Sequence, residues 1–185
     1  MPPDSTAKPL TPFARPKALE VRARAAAALG TSATASTTLR EWSGLAFRVG
    51  HQFYLTEREN IREVLVPPAL TSVPGAKPWL VGVVNVGGQI VPVTDLSAFA
   101  GGHPIALMRL TRLVRLNHDR NPVGLLVDEV RGFRSVRESA RVPVVREDLL
   151  QAWVRGSYRI DDQLYQHLDL RALIESTAFL DAAAG

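Results

Sequence analysis

Beyond residue 41, hydrophobic and polar positions mostly follow the two-residue period of β-strands, and the clearest signal lies at 80–96 (LVGVVNVGGQIVPVTDL). Two runs rich in β-branched residues flank Gly87-Gly88, a pair able to take the positive φ angles of a tight hairpin turn. Apolar residues occupy both alternating faces, which predicts a ribbon covered on both sides. Asp95 closes the second run, where its carboxylate can cap a short helix through Leu96, Ala98 and Phe99.

The same reading places a hairpin at 42–49 and 52–55 around Gly50-His51, and a short helical turn at 57–64 leading into a strand. Prolines at 67, 68, 74 and 78 make 65–78 a loop. Strands follow at 107–116 and 122–130, joined by a turn at 118–121, and a crossing segment at 136–148. The last hairpin runs from 152–158 to 163–168 around Asp161-Asp162, after which Asp169 caps a terminal helix through Leu173 and Ile174. Before residue 41 the pattern changes. A proline-rich lead-in (1–16), an alanine-rich helix (17–29) stopped by Gly30, and a small-residue linker (31–38) form an N-terminal extension.

An internal echo divides the strand region into similar halves. Residues 89–99 align without gaps to 163–173, sharing Gln, Asp, Leu and Ala, and each copy follows a two-residue turn. Many short strands in two such halves imply two small barrels packed together, with 80–93 lying between the lobes.

Composition narrows the chemistry. The 185 residues contain no cysteine, which excludes disulfides and thiolate metal sites. The start shows no basic-then-apolar leader and no run reaches membrane-spanning length, so a cytoplasmic protein is expected. The net charge of +4 comes with arginines scattered at 109, 112, 115, 131, 134 and 137; spaced by three in extended chain, successive ones face opposite ways. His51, His103, His118 and His167 show no metal-ligand spacing, and His167 is expected on the surface. Asp128-Glu129, adjacent in a strand, point to opposite faces, and Asp95 and Asp169 are better explained as caps than as acids. The strand aromatics Phe47, Phe53, Tyr54 and Tyr165 fall on no recognisable common face. Without a nucleophile elbow, a thiol or a phosphate loop, the chain reads as a binding module rather than an enzyme, and no cofactor is implied. A small barrel binding nucleic acid through its arginines is the alternative.

At 80–96 the sequence resembles the CheW-like family of chemotaxis coupling proteins, whose pattern there is Gly-Val-x-Asn, a Leu-Arg-Gly turn, apolar residues with Pro, and a closing Asp-Leu. The chain shows Gly82-Val83-Val84-Asn85, Gly87-Gly88, Pro92 and Asp95-Leu96. The likeness extends through Phe47-Arg48-Val49-Gly50, Ile61-Arg62-Glu63-Val64, 124–130 and Asp169-Leu170, and details at 73–80 and 158–164 are similar to the twitching-motility (PilI) branch.

The resemblance implies a mainly β fold: two packed five-stranded SH3-like β-barrels with short helices, forming a CheW-like domain at 41–181 behind the 1–40 extension. It implies a non-enzymatic adaptor that couples a methyl-accepting chemoreceptor tip to the regulatory domain of a CheA-type histidine kinase and controls type IV pili. The membrane is then reached only through the receptor, no nucleic-acid partner is expected, and association with itself or with paralogues in an array is compatible with exposed barrel edges. Its partner-binding positions fall on Ile61, Glu63, Gly82, Asn85, Gly87 and Gly88. Gly87 stands where the family carries its turn arginine, so a contact made by that charge must differ here.

Overall fold

A computed structural model describes residues 41–118, 120–144 and 150–183. The N-terminal extension and its helix at 17–29 lie outside these residues, as do 145–149 of the crossing segment. Strands β1 (Glu41–Val49), β2 (Gln52–Glu57), β3 (Ile61–Leu65), β4 (Leu80–Val86), β5 (Gln89–Asp95), β6 (Arg112–Leu116), β7 (Gly124–Val127), β8 (Glu129–Arg137), β9 (Arg141–Val142), β10 (Val154–Ile160) and β11 (Gln163–Leu168) make two mixed sheets. Among the described residues three short α-helices accompany them, α1 (Leu96–Phe99), α2 (Leu170–Glu175) and α3 (Thr177–Leu180), with three single 3-10 turns.

The five-stranded sheet has the order β3-β6-β7-β5-β4, and the six-stranded sheet the order β8-β1-β2-β11-β10-β9. Aligned end to end, these are the same arrangement, with β9 added as a two-residue outer strand. Each sheet exchanges strands across the sequence through one parallel pair, β5 with β7 and β11 with β2. The two-lobed, mainly β architecture expected from the sequence is therefore present.

The echo between the halves is longer than 89–99 suggests. At one constant offset, Trp79 corresponds to Trp153, Gly82 to Gly156 and Asp95 to Asp169. Asp95 N–H donates to the Trp79 carbonyl (2.8 Å) and Asp169 N–H to the Trp153 carbonyl (2.9 Å). A register shift precedes each glycine, between Leu80 and Gly82 and between Val154 and Gly156. Both aspartates cap as expected: Asp95 accepts from Ser97 N–H and Ala98 N–H, Asp169 from Ala172 N–H.

Alternation along the strands sorts side chains into three apolar clusters. One fills the six-stranded lobe (Ala46, Leu55, Val136, Tyr158, Tyr165) and one the five-stranded lobe (Val84, Val91, Val93, Leu113, Leu126). The largest takes Leu45, Phe47, Val49 and Tyr54 from one sheet, Val114, Leu116, Leu125 and Val127 from the other, and Leu170, Leu173 and Ile174 from α2. It joins the lobes into one body.

Four expectations change. The 80–96 hairpin is not covered throughout: β4 is the outer strand of its sheet, and Ile90 near the tip is 57% exposed. Its edge is instead met by the loop, through Thr71 N–H to the Val83 carbonyl (2.9 Å) and Val83 N–H to the Thr71 carbonyl (2.8 Å). The strand expected at 107–116 begins only at Arg112, because the Thr111 hydroxyl accepts from Met108 N–H and donates to the Ala106 carbonyl, closing a turn. The strand expected at 122–130 breaks at Asp128 and restarts as β8, which extends to Arg137. His167 is not a surface residue. The β2–β11 pairing sets it beside Leu55, with its side chain 12% exposed.

Candidate functional site

The tip of the β4–β5 hairpin is built by short-range chemistry. Gly87 and Gly88 take φ of 59° and 84°, and the Asn85 side-chain carbonyl accepts from Gly88 N–H at 2.9 Å. Both glycines are open to solvent, with nothing near a Cβ position. Gly82 has a different task. Its φ is 149°, and a Cβ there would stand 2.4 Å from the Thr71 carbonyl oxygen, so glycine is what lets the loop lie against β4.

The two candidate positions on β3 part company. A bulge between Ile61 and Glu63 pairs Ile61 with Leu116 and Glu63 with Arg115, which turns them to opposite faces. Ile61 packs against the central cluster, whereas Glu63, its side chain 36% exposed, turns to the side where Arg115 lies. There Arg115, 6% exposed, donates Nη1 to Glu63 Oε1 at 2.7 Å and Nη2 to the Gln89 side-chain carbonyl. β3 and β5 are not ladder neighbours, so this guanidinium ties them together. The structure therefore groups Glu63 with the hairpin tip through a residue that the sequence left among scattered arginines.

Between the outer strands of the five-stranded lobe and α3 lies an open apolar groove of about 280 Å³, lined by Trp79, Leu80, Pro92, Pro122, Val123, Phe179, Leu180 and Ala182, with Thr94 and Asn121. No lining residue is ionisable. Its floor continues into an aromatic cluster: Phe99 meets Trp79 and Phe179 with ring centroids 5.3 Å away and Trp153 at 5.7 Å. The pseudo-equivalent tryptophans thus flank one ring of α1, and Leu180 at the groove's lip is 59% exposed.

A family model described as the CheW-like domain matches residues 43–178. The chain belongs to the CheW-like family. Among similar proteins, Protein PilI of Pseudomonas aeruginosa is 33% identical over 148 residues, covering 78% of this chain and 82% of its own. A Rhizobium etli protein described as a probable chemotaxis protein CheW is 29% identical over 135 residues, covering 72% and 87%. Within the family the chain matches the PilI branch. The crystal structure of scaffolding protein TtCheW from Thermoanaerobacter tengcongensis superposes with a TM-score of 0.65 at 23% identity, over 75% of this chain and 96% of that one. It has the same fold.

In this CheW-like chain several charged and polar groups of the six-stranded lobe are engaged internally. Asp128 and Glu129, expected to point apart, are gathered by Arg48, whose Nε lies 3.3 Å from Glu129 and whose Nη1 lies 3.8 Å from Asp128. The break at Asp128 permits this, and Asp128 also accepts from Gly50 N–H at 2.7 Å. His167 Nε2 stands 2.9 Å from Glu57 Oε1, beneath the Trp42 ring at 4.8 Å. That hydrogen bond is the largest influence on Glu57 and holds its carboxyl below the ordinary value, against the opposing effect of burial. Burial first, then donation to Glu138 at 3.0 Å, pushes the Tyr158 hydroxyl up.

The aromatics also pair, Phe47 with Tyr54 at 5.6 Å and Phe53 with Tyr165 at 5.9 Å. Phe47, Tyr54 and Tyr165 are buried, so they offer no platform for stacking bases. No group of three or more His, Cys, Asp or Glu side chains among the described residues is placed to hold a metal. The aromatic cluster was missed in the sequence. Its signal was there, since Trp79 and Trp153 each stand three residues before a glycine at the same offset as the aspartate caps.

Proposed function

We propose that this protein is a non-enzymatic adaptor in chemosensory signalling, coupling a chemoreceptor tip to the regulatory domain of a CheA-type histidine kinase in a system that controls type IV pili. The observation that carries this reading is the groove between Trp79, Leu80 and Phe179: open, apolar and free of ionisable groups in a chain of the CheW-like family. Such a surface suits an apolar stripe of a partner helix and supplies no acid, base or nucleophile for chemistry. The similarity to a protein named PilI supports the pilus assignment.

Ile61, Glu63, Gly82, Asn85, Gly87 and Gly88 remain proposed contact or contact-shaping positions. In this reading Gly82, Asn85 and the two turn glycines shape the hairpin, and Glu63 meets a partner already neutralised by Arg115. The domain that acts is 41–181, and cytoplasmic placement follows from the proposed partners. Calorimetric titration with the kinase regulatory domain and, separately, with a receptor-tip fragment of the same organism tests the proposal. Micromolar binding of either, lost in Leu180→Asp, is the expected result. Silence of both partners at tens of micromolar overturns it.

A further inference from the structure

The six-stranded sheet does not close on itself. Among the described residues it ends on one side at β8, which pairs only with β1; on the other, β9 covers β10 at Ser157 and Tyr158, and Arg159 and Ile160 have no ladder partner on that side. Between these walls runs an open groove of about 430 Å³, lined among others by Arg134, Arg137, Arg159 and Ser135.

Its charge is unbalanced. Two acids, Glu41 and Asp161, also line it. Glu41 is already engaged, by Arg137 Nε at 3.5 Å and by the Ser135 hydroxyl. Arg134 and Arg159 have no ion-pair or hydrogen-bond partner among the described side chains. Phe133, on the same strand, is 49% exposed beneath the Arg58 guanidinium at 5.4 Å.

We propose that this seam binds an acidic, extended segment of a partner protein, which adds as a strand along β8 and sets the carboxylates of its outward face against Arg137 and Arg159, with Arg134 on the opposite face of β8. Three features select that occupant. The β8 edge presents main-chain donors and acceptors at ladder spacing, which an extended peptide satisfies. Alternate side chains of such a strand fall about 7 Å apart on one face, the spacing on which successive carboxylates meet separate guanidinium groups. A second copy is disfavoured because two arginine-bearing edges repel one another. The seam lies in the sheet opposite the β4–β5 hairpin, so it does not depend on the adaptor reading.

The test is fluorescence anisotropy of the full chain with a labelled peptide of alternating glutamate and valine. Its lysine–valine counterpart, an oligothymidine and inorganic phosphate serve as competitors, and backbone-amide NMR maps the site. The expected result is binding that weakens with salt, at least about tenfold loss in Arg137→Glu/Arg159→Glu, and shifts concentrated in 133–137. Both substituted residues are exposed, and a circular dichroism spectrum matching the wild type shows that the variant folds. A silent acidic peptide, binding unchanged by charge reversal, shifts confined elsewhere, or equal displacement by oligothymidine or phosphate overturns the proposal. Self-association through the seam, seen by sedimentation, overturns it in favour of a second copy.

Discussion

A single buried guanidinium carries more of this structure than its surroundings in the sequence suggest. Arg115 holds Glu63 and Gln89. Replacing it with methionine fills much of the volume and breaks the tie, while Glu63 and Gln89 remain open to water. We expect a loss of about 1–2 kcal/mol in urea denaturation, against less than about 1 kcal/mol for Arg112→Met, whose side chain bonds local carbonyls. If the adaptor reading holds, Arg115→Met also weakens kinase-domain binding, and Gly87→Arg in that background recovers part of it.

The Glu57–His167 pair gives a pH dependence with a definite sign. Because the carboxyl sits below its ordinary 4.5 in the folded state, its stabilisation is complete above that value and disappears as pH falls through the depressed folded one. Glu57→Gln is therefore expected to be less stable than the wild type near pH 7, with the gap closing as the solution is acidified below 4.5. A gap that stays constant across that range sinks the assignment.

At the level of elements, the paired halves allow controlled comparisons. Asp95 and Asp169 cap pseudo-equivalent helices, and each has a second partner: Asp95 accepts from Ile105 N–H at 2.6 Å, and Asp169 pairs with the Arg155 guanidinium. Asp95→Ala should cost more than Asp169→Ala, each on the scale of about 1–2 kcal/mol by denaturant midpoints, because Asp95 serves three backbone N–H groups in the interior while the Asp169 pair uses an exposed arginine open to screening. The two hairpin turns differ in chemistry and share a conformation. Asp161 and Asp162 hold φ of 48° and 61°, near the values at Gly87 and Gly88. Asp162→Gly is then expected to stabilise by roughly 0.5–1 kcal/mol, and Gly88→Asp to cost a similar amount. Equal and opposite shifts would mark the halves as copies that differ only in how they meet one backbone requirement.

For the whole molecule, the test is whether the lobes unfold together. The central cluster draws side chains from both sheets, and the rings around Phe99 come from segments leading into strands of each sheet, Trp79 before β4 and Trp153 before β10. Phe99→Ala removes a ring that touches both tryptophans, and a loss of about 3 kcal/mol is expected. A single transition by tryptophan fluorescence and circular dichroism would show that the lobes still melt as one body; two transitions would locate the coupling in that ring.

Local chemistry made much of the fold legible in the sequence. Turn glycines and aspartates, capping aspartates and two-residue alternation each depend on neighbours within a few positions, so the hairpins, caps and paired halves could be read directly. The family motif at 80–96 belongs to the same class. What pairs with what was decided only in three dimensions. The bulge at Arg62 separated Ile61 from Glu63, the break at Asp128 let Arg48 gather two carboxylates, and the β2–β11 pairing drew His167 in beneath Trp42. Arg115 found partners on two strands that no ladder joins. Those outcomes depend on strand register and on parallel crossovers, where a shift of one residue reverses the face of every side chain. No local pattern encodes that choice; the packing of two lobes around one core does.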